Sequence, residues 1–138
     1  MKQFEPCFYK DFSCIADRCK HSCCVGWEID VDAETLKKYE SVSGELGEKL
    51  RRCIVKKGGS AHFSMCEHER CPFLNEKNLC EIILELGENF ISQICTDHPR
   101  FYNEFSGRVE TGLGLCCEEA ARIILEAISF TCGSFGEP

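Results

Sequence analysis

Cysteine is the residue type in this chain that is best suited to metal binding or redox chemistry, and it is densest near the start. Four thiols lie within the eleven residues from Cys14 to Cys24. Such density predicts either a metal site or a set of disulfides. The adjacent pair Cys23 and Cys24 bears on the number of sites, because neighbouring side chains of an extended segment point to opposite sides and cannot easily bind one metal ion. The stretch therefore predicts two sites, or one site with a spare thiol.

Cysteines return in three later segments, and we expect these to be partners of the first four. One segment reads C-P-F-L-N and ends in another cysteine, a second reads C-T-D-H-P-R, and the third is a vicinal pair. Eight thiols are enough for two four-thiolate sites. The predicted metal ligands are Cys14, Cys19, Cys23, Cys24, Cys71, Cys80, Cys95 and Cys117. Cys66 and Cys116 are alternatives for one of these positions, and His98 is a weaker candidate.

Metal binding is favoured over a disulfide scaffold, which is the alternative reading of a cysteine-rich chain. The chain has thirteen cysteines, an odd number. Bonding within the vicinal pair Cys23 and Cys24, or within Cys116 and Cys117, would strain the peptide. The first residues lack the apolar segment of a signal peptide, so we expect a cytoplasmic, reducing location in which thiols persist.

The spacing of the cysteines bears on which metal is bound. Cys14 and Cys19 form a C-x4-C pair, which zinc sites permit, but the chain has no C-x2-C knuckle. Iron–sulfur clusters are compatible with cysteines scattered over separate loops. We therefore predict a 4Fe-4S iron–sulfur cluster, with zinc as the alternative. Gly26 stands where the C-x3-C-x2-C pattern of radical S-adenosylmethionine enzymes needs its third cysteine, so that chemistry is not predicted.

Charge and hydropathy exclude two classes of partner. The formal net charge is −7, whereas binding to nucleic acid requires clustered Lys and Arg. No apolar run approaches the roughly 20 residues of a membrane span. We therefore expect a soluble protein with neither nucleic acid nor a membrane as its partner.

Hydrophobic periodicity predicts a mainly α fold with a few short strands. We expect the fold to be one small metal-stabilised cysteine-cluster domain that spans residues 1–138. Asp32 is the predicted N-cap of the first helix. A break near Gly87 is expected in the third. Residues 75–78 are predicted to form a turn. Residues 101–107 are predicted to form an aromatic-rich turn, and residues 108–115 are predicted to be extended. The predicted helices cover residues 33–42, 45–55, 80–94 and 118–130, and the predicted strands cover residues 25–31 and 61–65.

These motifs together resemble the flagellin lysine N-methylase family and its CxxCxxCC cysteine-cluster domain. The resemblance rests on C-x4-C-x3-C-C followed by Gly-Trp-Glu-Ile, on the C-P-F-L-N segment with a cysteine nine positions on, on C-x3-P-R-F, and on L-x-L-x-C before an acidic helix. It covers about residues 8–125. It implies a metal-binding, iron–sulfur domain of an enzyme that methylates flagellin lysines with S-adenosylmethionine. By position, the cluster ligands are the eight cysteines named above.

The chain departs from the family pattern at three positions and in length. Cys116, Glu118 and His98 stand where the family usually has Ser, Pro and Tyr, which leaves the last ligand open between Cys116 and Cys117. Family members also extend well beyond this domain, so we expect an N-terminal part that is inactive alone. The alternative function is a non-catalytic zinc- or iron-binding structural module. No stretch of the sequence identifies catalytic or cofactor-contacting residues.

Overall fold

A computed structural model of the chain describes residues 1–127. They form two compact units: a terminal unit, made of Met1–His21 with the segment from Asp97 onward, and a central unit, Ser22–Thr96. The single domain predicted for residues 1–138 stays a prediction. The α-helices and strands, in chain order, are β1 Lys2–Phe4, α1 Ala33–Glu40, α2 Gly44–Cys53, β2 Ile54–Lys57, β3 Ser60–Phe63, α3 Glu81–Leu86, α4 Gln93–Asp97, β4 Arg100–Phe105, β5 Arg108–Leu113 and α5 Glu118–Glu126.

The terminal unit contains a three-stranded sheet in the order β1-β5-β4. β4 and β5 form an antiparallel hairpin in which Phe105 pairs with Arg108, and β1 runs parallel to β5. Gly107 lies in the turn with φ of +83°, a left-handed conformation that side chains disfavour. Helix α5 contributes to the core of this unit, whose buried residues are Phe12, Leu113, Cys117, Ala120 and Ile123.

The central unit combines helices α1 and α2 with the antiparallel β2–β3 hairpin. Asp32 caps α1 as predicted: its carboxylate accepts hydrogen bonds from the N–H of Thr35 and from the N–H of Gln93, both at 2.9 Å. These bonds hold the pKa of Asp32 down to about 2, although burial opposes them. The largest fully buried apolar side chains of the unit are Tyr39, Phe73, Ile29, Leu50 and Ile82.

The prediction of a mainly α fold is wrong, because within residues 1–127 five strands form two sheets alongside the helices. Gly58 and Gly59, with φ of +57° and +84°, make the two-residue turn that favours a hairpin. The β-branched Ile54 and Val55 then extend as β2 instead of prolonging the helix. The aromatic residues of β4 likewise pair with β5 rather than forming a turn. The strand predicted over residues 25–31 is wrong too, since only isolated bridges form there.

Most predicted helices exist but are shorter than expected. The first two are confirmed as α1 and α2, with ends displaced by one or two residues. The third is interrupted at Gly87, as predicted, and continues as a short 3-10 turn and α4. The last is confirmed as α5 to Glu126, while residues 128–130 of that prediction lie outside the described residues. None of the helices within residues 1–127 is long and apolar enough to cross a membrane.

Candidate metal centre

Four cysteines of the central unit lie close enough together for charge on one sulfur to change the pKa of another. They come from four separate segments: Cys23 from the opening cysteine stretch, Cys71 after the β2–β3 hairpin, Cys80 before α3 and Cys95 in α4. Burial has the largest effect on the pKa values of the last three. Charge on Cys80, Cys95 and Cys66 then raises the pKa of Cys71, and charge on Cys23 raises those of Cys80 and Cys95. We call these four residues the central thiol set.

Cys71 is the most buried member, with 6% of its surface exposed. Its position is fixed by its backbone N–H, which donates to the carbonyl oxygen of Cys24 at 2.8 Å. Burial raises the pKa of its thiol to about 12, while the backbone N–H of Phe73 acts in the opposite direction. Without a metal, Cys71 is therefore a protonated thiol at neutral pH.

Hydrogen-bond donors also face the sulfurs of Cys80 and Cys95. Cys80 is the N-cap of α3, where the N–H groups of Ile83 and Ile82 lower a thiol pKa that burial raises. Burial raises the pKa of Cys95 to about 11, and the hydroxyl of Ser92, which donates to its sulfur at 3.2 Å, opposes this. Donors that stabilise a thiolate in this way tune metal-bound sulfur.

The loop from Cys71 to Cys80 has a rigid frame of polar contacts. Nη2 of Arg70 donates to the backbone oxygen of Asn75 at 2.6 Å. The side-chain oxygen of Asn75 accepts from the N–H groups of Lys77 and Leu79. Asn78 takes a left-handed φ of +58°, which Asn tolerates better than most residues. The predicted turn over residues 75–78 is confirmed, and it brings both ends of the loop into the central thiol set.

Within residues 1–127, no three His, Cys, Asp or Glu side chains are arranged so that they could hold a metal ion. The donor chemistry of the central thiol set nevertheless fits a thiolate-bound centre. Cys71, Cys80 and Cys95 are shielded from water and have N–H or O–H groups aimed at sulfur. The buried hydroxyl of Tyr39, close to the same sulfurs, has no hydrogen-bond partner in the described chain.

The other predicted ligands divide between the two units. Cys24 lies beside Cys23 in the central unit and packs, half-buried, against its core. Cys14 and Cys19 belong to the terminal unit, as does Cys117, which is buried in that unit's apolar cluster. Five of the eight predicted ligands thus lie in one unit and three in the other. The division of the eight into two four-thiolate sites stays a prediction.

A glutamate orders the cysteine segments of the terminal unit. Oε2 of Glu118 accepts hydrogen bonds from the backbone N–H of Lys20 at 2.9 Å and of His21 at 3.1 Å. These bonds lower the pKa of Glu118. They join the residue after Cys19 to the residue after Cys117, so the two cysteines lie on adjoining segments.

Sequence reasoning did not identify two residues that the structure places near the thiols. Ser92, only 1% exposed, could have been suspected from its position three residues before Cys95. The sequence does not indicate that Tyr39 lies near the thiols, because this residue is on the apolar face of a predicted helix and is expected to be a core aromatic. Its proximity to Cys71, Cys80 and Cys95 arises from tertiary packing alone.

Three curated proteins are similar to this chain over 127 residues, each at 31% identity and each match covering 88% of the chain. Two are named lysine-N-methylase, from Salmonella choleraesuis strain SC-B67 and Salmonella typhimurium strain LT2, and the matched part is 32% of their length. The third is the flagellar biosynthetic protein FliU of Salmonella muenchen, of which 75% is covered. No protein-family model matches the chain, and no solved structure does. The chain thus spans about a third of the length of the two methylases.

Proposed function

The chain belongs to the family of the lysine-N-methylases and the flagellar biosynthetic protein FliU, and we propose that it is the metal-binding domain of a protein-lysine methylase. The observation that carries the proposal is the central thiol set, in which four separate segments bring cysteines within reach of one another's charge. In this proposal the bound group is an iron–sulfur cluster, and flagellin is the protein whose lysines are methylated.

The proposed ligands are Cys23, Cys71, Cys80 and Cys95. Three of them, Cys71, Cys80 and Cys95, are buried or half-buried and have backbone N–H or hydroxyl donors that would stabilise the negative charge of a cluster. The fourth, Cys23, is exposed. A bound cluster would cross-link the four segments and supply a redox-active or Lewis-acidic centre. The thiolate ligands require a reducing compartment, which supports a location in the cytoplasm. Cys14, Cys19, Cys24 and Cys117 stay predicted metal ligands.

The methylation step sets requirements that the whole protein must meet. The lysine nitrogen attacks the methyl carbon of S-adenosylmethionine, the N–C bond forms, the C–S bond breaks, and S-adenosylhomocysteine leaves as a neutral thioether. The amine must first lose a proton, because its ordinary pKa is about 10.4. A base or a desolvating pocket must therefore lie beside the sulfonium. We assign neither of these to residues of this chain.

Anaerobic purification tests the metal assignment. We expect the wild-type domain to contain iron and acid-labile sulfide and to show the broad visible absorption of iron bound to thiolate. Cys80→Ser should lose most of the iron. Cys53→Ser is the matched control, because Cys53 is also a half-buried cysteine of the central unit but lies at the end of α2, outside the thiol set. Equal iron in both variants, or none in the wild type, would contradict the proposal.

A non-catalytic metal module is the competing function, and one observation favours it. The chain corresponds to only 32% of the length of the lysine-N-methylases, so their methyl-donor site has room to lie elsewhere. Titration calorimetry with S-adenosylmethionine tests whether residues 1–138 contain a methyl-donor site of their own. We expect no tight binding by residues 1–138, and tight binding that is lost in Cys117→Ser but kept in Cys116→Ser would overturn the scaffold function and identify the last ligand.

A further inference from the structure

Strand β4 forms an open edge of the three-stranded sheet in the terminal unit. The sheet order is β1-β5-β4, so β4 bonds to β5 on one side and to no strand of residues 1–127 on the other. All six β4 residues are at least partly exposed, and Phe101, Tyr102 and Phe105 are 46%, 49% and 49% exposed. The strand has no proline, lysine or bulge, the features that commonly protect a sheet edge from pairing. Such an edge is a surface on which another strand can pair.

The pairing with β5 determines which backbone groups of β4 point outward. Phe105 and Arg108 close a two-residue turn, so this pair exchanges both of its hydrogen bonds. Bonded pairs then recur at every second residue, and the N–H of Gly114 accordingly donates to the carbonyl oxygen of Pro99 at 2.7 Å. The N–H and carbonyl groups of three intervening residues therefore point away from β5, and no backbone hydrogen bond among the described residues uses them. These outward residues are Arg100, Tyr102 and Glu104.

The side chains at the outward positions are self-complementary. Along the strand they are a cation, an aromatic ring and a carboxylate. When a second β4 runs antiparallel about a two-fold axis at Tyr102, Arg100 lies opposite Glu104 of the other copy and Tyr102 lies opposite itself. This register pairs all three outward residues, whereas moving the axis by one residue leaves one of them without a partner. Opposite charges that face each other across two strands stabilise the pairing.

We propose that β4 is an interface between two copies of this chain, which pair antiparallel about Tyr102 and join their three-stranded sheets edge to edge. One of the charges is already ordered, because the guanidinium carbon of Arg100 lies 5.1 Å from the centre of the Phe12 ring. Phe101 lies on the other sheet face, since side chains alternate along a strand. In this register it is the diagonal neighbour of Phe101 of the other copy, within reach of an aromatic contact. The pairing requires no metal and is independent of the proposed function.

Sedimentation equilibrium of the full chain, kept under reductant and measured over a range of protein concentrations, tests the interface. We expect the mass to rise from one chain toward two, because an interface limited to one strand pair is small and the dimer is therefore weak. Glu104→Arg replaces two attractive cross-strand pairs with repulsive ones, and it should raise the dissociation constant on the order of 10-fold. Tyr102→Pro removes an N–H that does not bond to β5, so it should abolish dimerisation while circular dichroism shows a folded chain.

Glu85→Arg is the matched control, because it makes the same change of charge at an exposed residue of α3 in the central unit. It should leave the dissociation constant unchanged. Amide hydrogen exchange locates the interface: exchange at Tyr102 should slow as the protein concentration rises, while exchange at Phe101, whose N–H bonds to β5, should stay constant. A wild-type mass of one chain at concentrations up to about 1 mM would overturn the inference. Equal weakening by Glu104→Arg and Glu85→Arg, or exchange at Tyr102 that does not depend on concentration, would overturn it too.

Discussion

Three cysteines of the central unit and two exposed cysteines of the terminal unit occupy contrasting environments. Burial raises the pKa values of Cys71, Cys80 and Cys95 in the central unit, and N–H or O–H donors face their sulfurs. In the terminal unit Cys14 and Cys116 are exposed. One residue type therefore carries two kinds of chemistry in this chain, and burial with directed donors is what separates them.

The boundary between the two units crosses the densest cysteine stretch of the sequence. The boundary between the units falls between His21 and Ser22. Cys19 therefore belongs to the terminal unit, while Cys23, four residues later, belongs to the central one. Closeness along the chain does not group these thiols, and the fold assigns them to different surroundings.

The prediction with the largest expected effect concerns the stability of the metal-loaded domain, and it tests whether the metal centre lies in the central unit. A structural metal–thiolate site contributes about 10 to 16 kcal/mol in small zinc domains, which is as much as the whole stability of a small domain. We expect Cys71→Ser, prepared under metal-loading conditions, to melt no higher than metal-free wild type. Cys7→Ser, which removes an exposed cysteine of the terminal unit that is not a predicted ligand, should melt close to the loaded wild type. Calorimetric melting of all four preparations measures the difference.

An equal loss of melting temperature in Cys71→Ser and Cys7→Ser would contradict the assignment of the centre to the central unit. Cys53→Ser serves as the control for a cysteine of that unit outside the thiol set. It should melt near loaded wild type, since Cys53 only packs against the core.

Helix boundaries and the polar turn of the ligand loop could be predicted from sequence because their causes are local. Asp32 caps α1 through a side chain three residues from its donor Thr35. Asn75 folds the loop onto itself within four residues. Such contacts need no knowledge of the rest of the chain.

The sheets and the surroundings of the thiols could not be predicted in the same way. The pairing of β1 with β5 joins residues about a hundred positions apart, such as Lys2 with Arg108, and no local pattern specifies such a partner. Tyr39 likewise comes near Cys80 and Cys95 only through packing of α1 on the core. Periodicity identifies a buried face but does not identify what that face contacts.

A second prediction sharpens the comparison through the reactivity of metal-free thiols. Because the pKa of Cys71 is raised from 9.0 to about 12, its thiolate population at neutral pH falls by about 10³-fold, a factor of ten for each pKa unit. Iodoacetamide should therefore label the exposed Cys14 long before Cys71 and Cys95. Peptide mass spectrometry of timed samples measures the order. In urea all three should react at similar rates, which is the control.

The raised thiol pKa values also determine how the stability of the metal-free protein changes with pH. A folded-state pKa above the unfolded value means that the native state retains protons which the unfolded chain releases. Between about pH 9 and the raised values, about 11 for Cys95 and about 12 for Cys71, metal-free protein should lose stability as the pH rises. Native labelling of Cys71 as fast as Cys14 at neutral pH would contradict the buried environment.

The smallest expected effect concerns Glu118, which orders the terminal unit without any metal. Its carboxylate accepts from the backbone N–H groups of Lys20 and His21, and these two bonds lower its pKa below 4.5. Glu118→Ala removes both acceptors and should lower the melting temperature slightly at pH 7. Trypsin should also cleave after Lys20 faster, because the segment is held there by this side chain. Timed proteolysis with peptide identification measures the local effect.

The pH dependence and a matched variant separate this anchoring from a general loss of charge. A carboxylate whose folded pKa is depressed stabilises the fold above its ordinary pKa and loses that contribution as the pH falls through the folded value. The difference between wild type and Glu118→Ala should therefore shrink below about pH 4.5, the ordinary value. Glu126→Gln removes an α5 carboxylate that pairs with Arg122 instead, and it should leave cleavage at Lys20 unchanged. Faster cleavage in both variants would show that α5 orders the segment through its net charge, and that the two Glu118 hydrogen bonds do not.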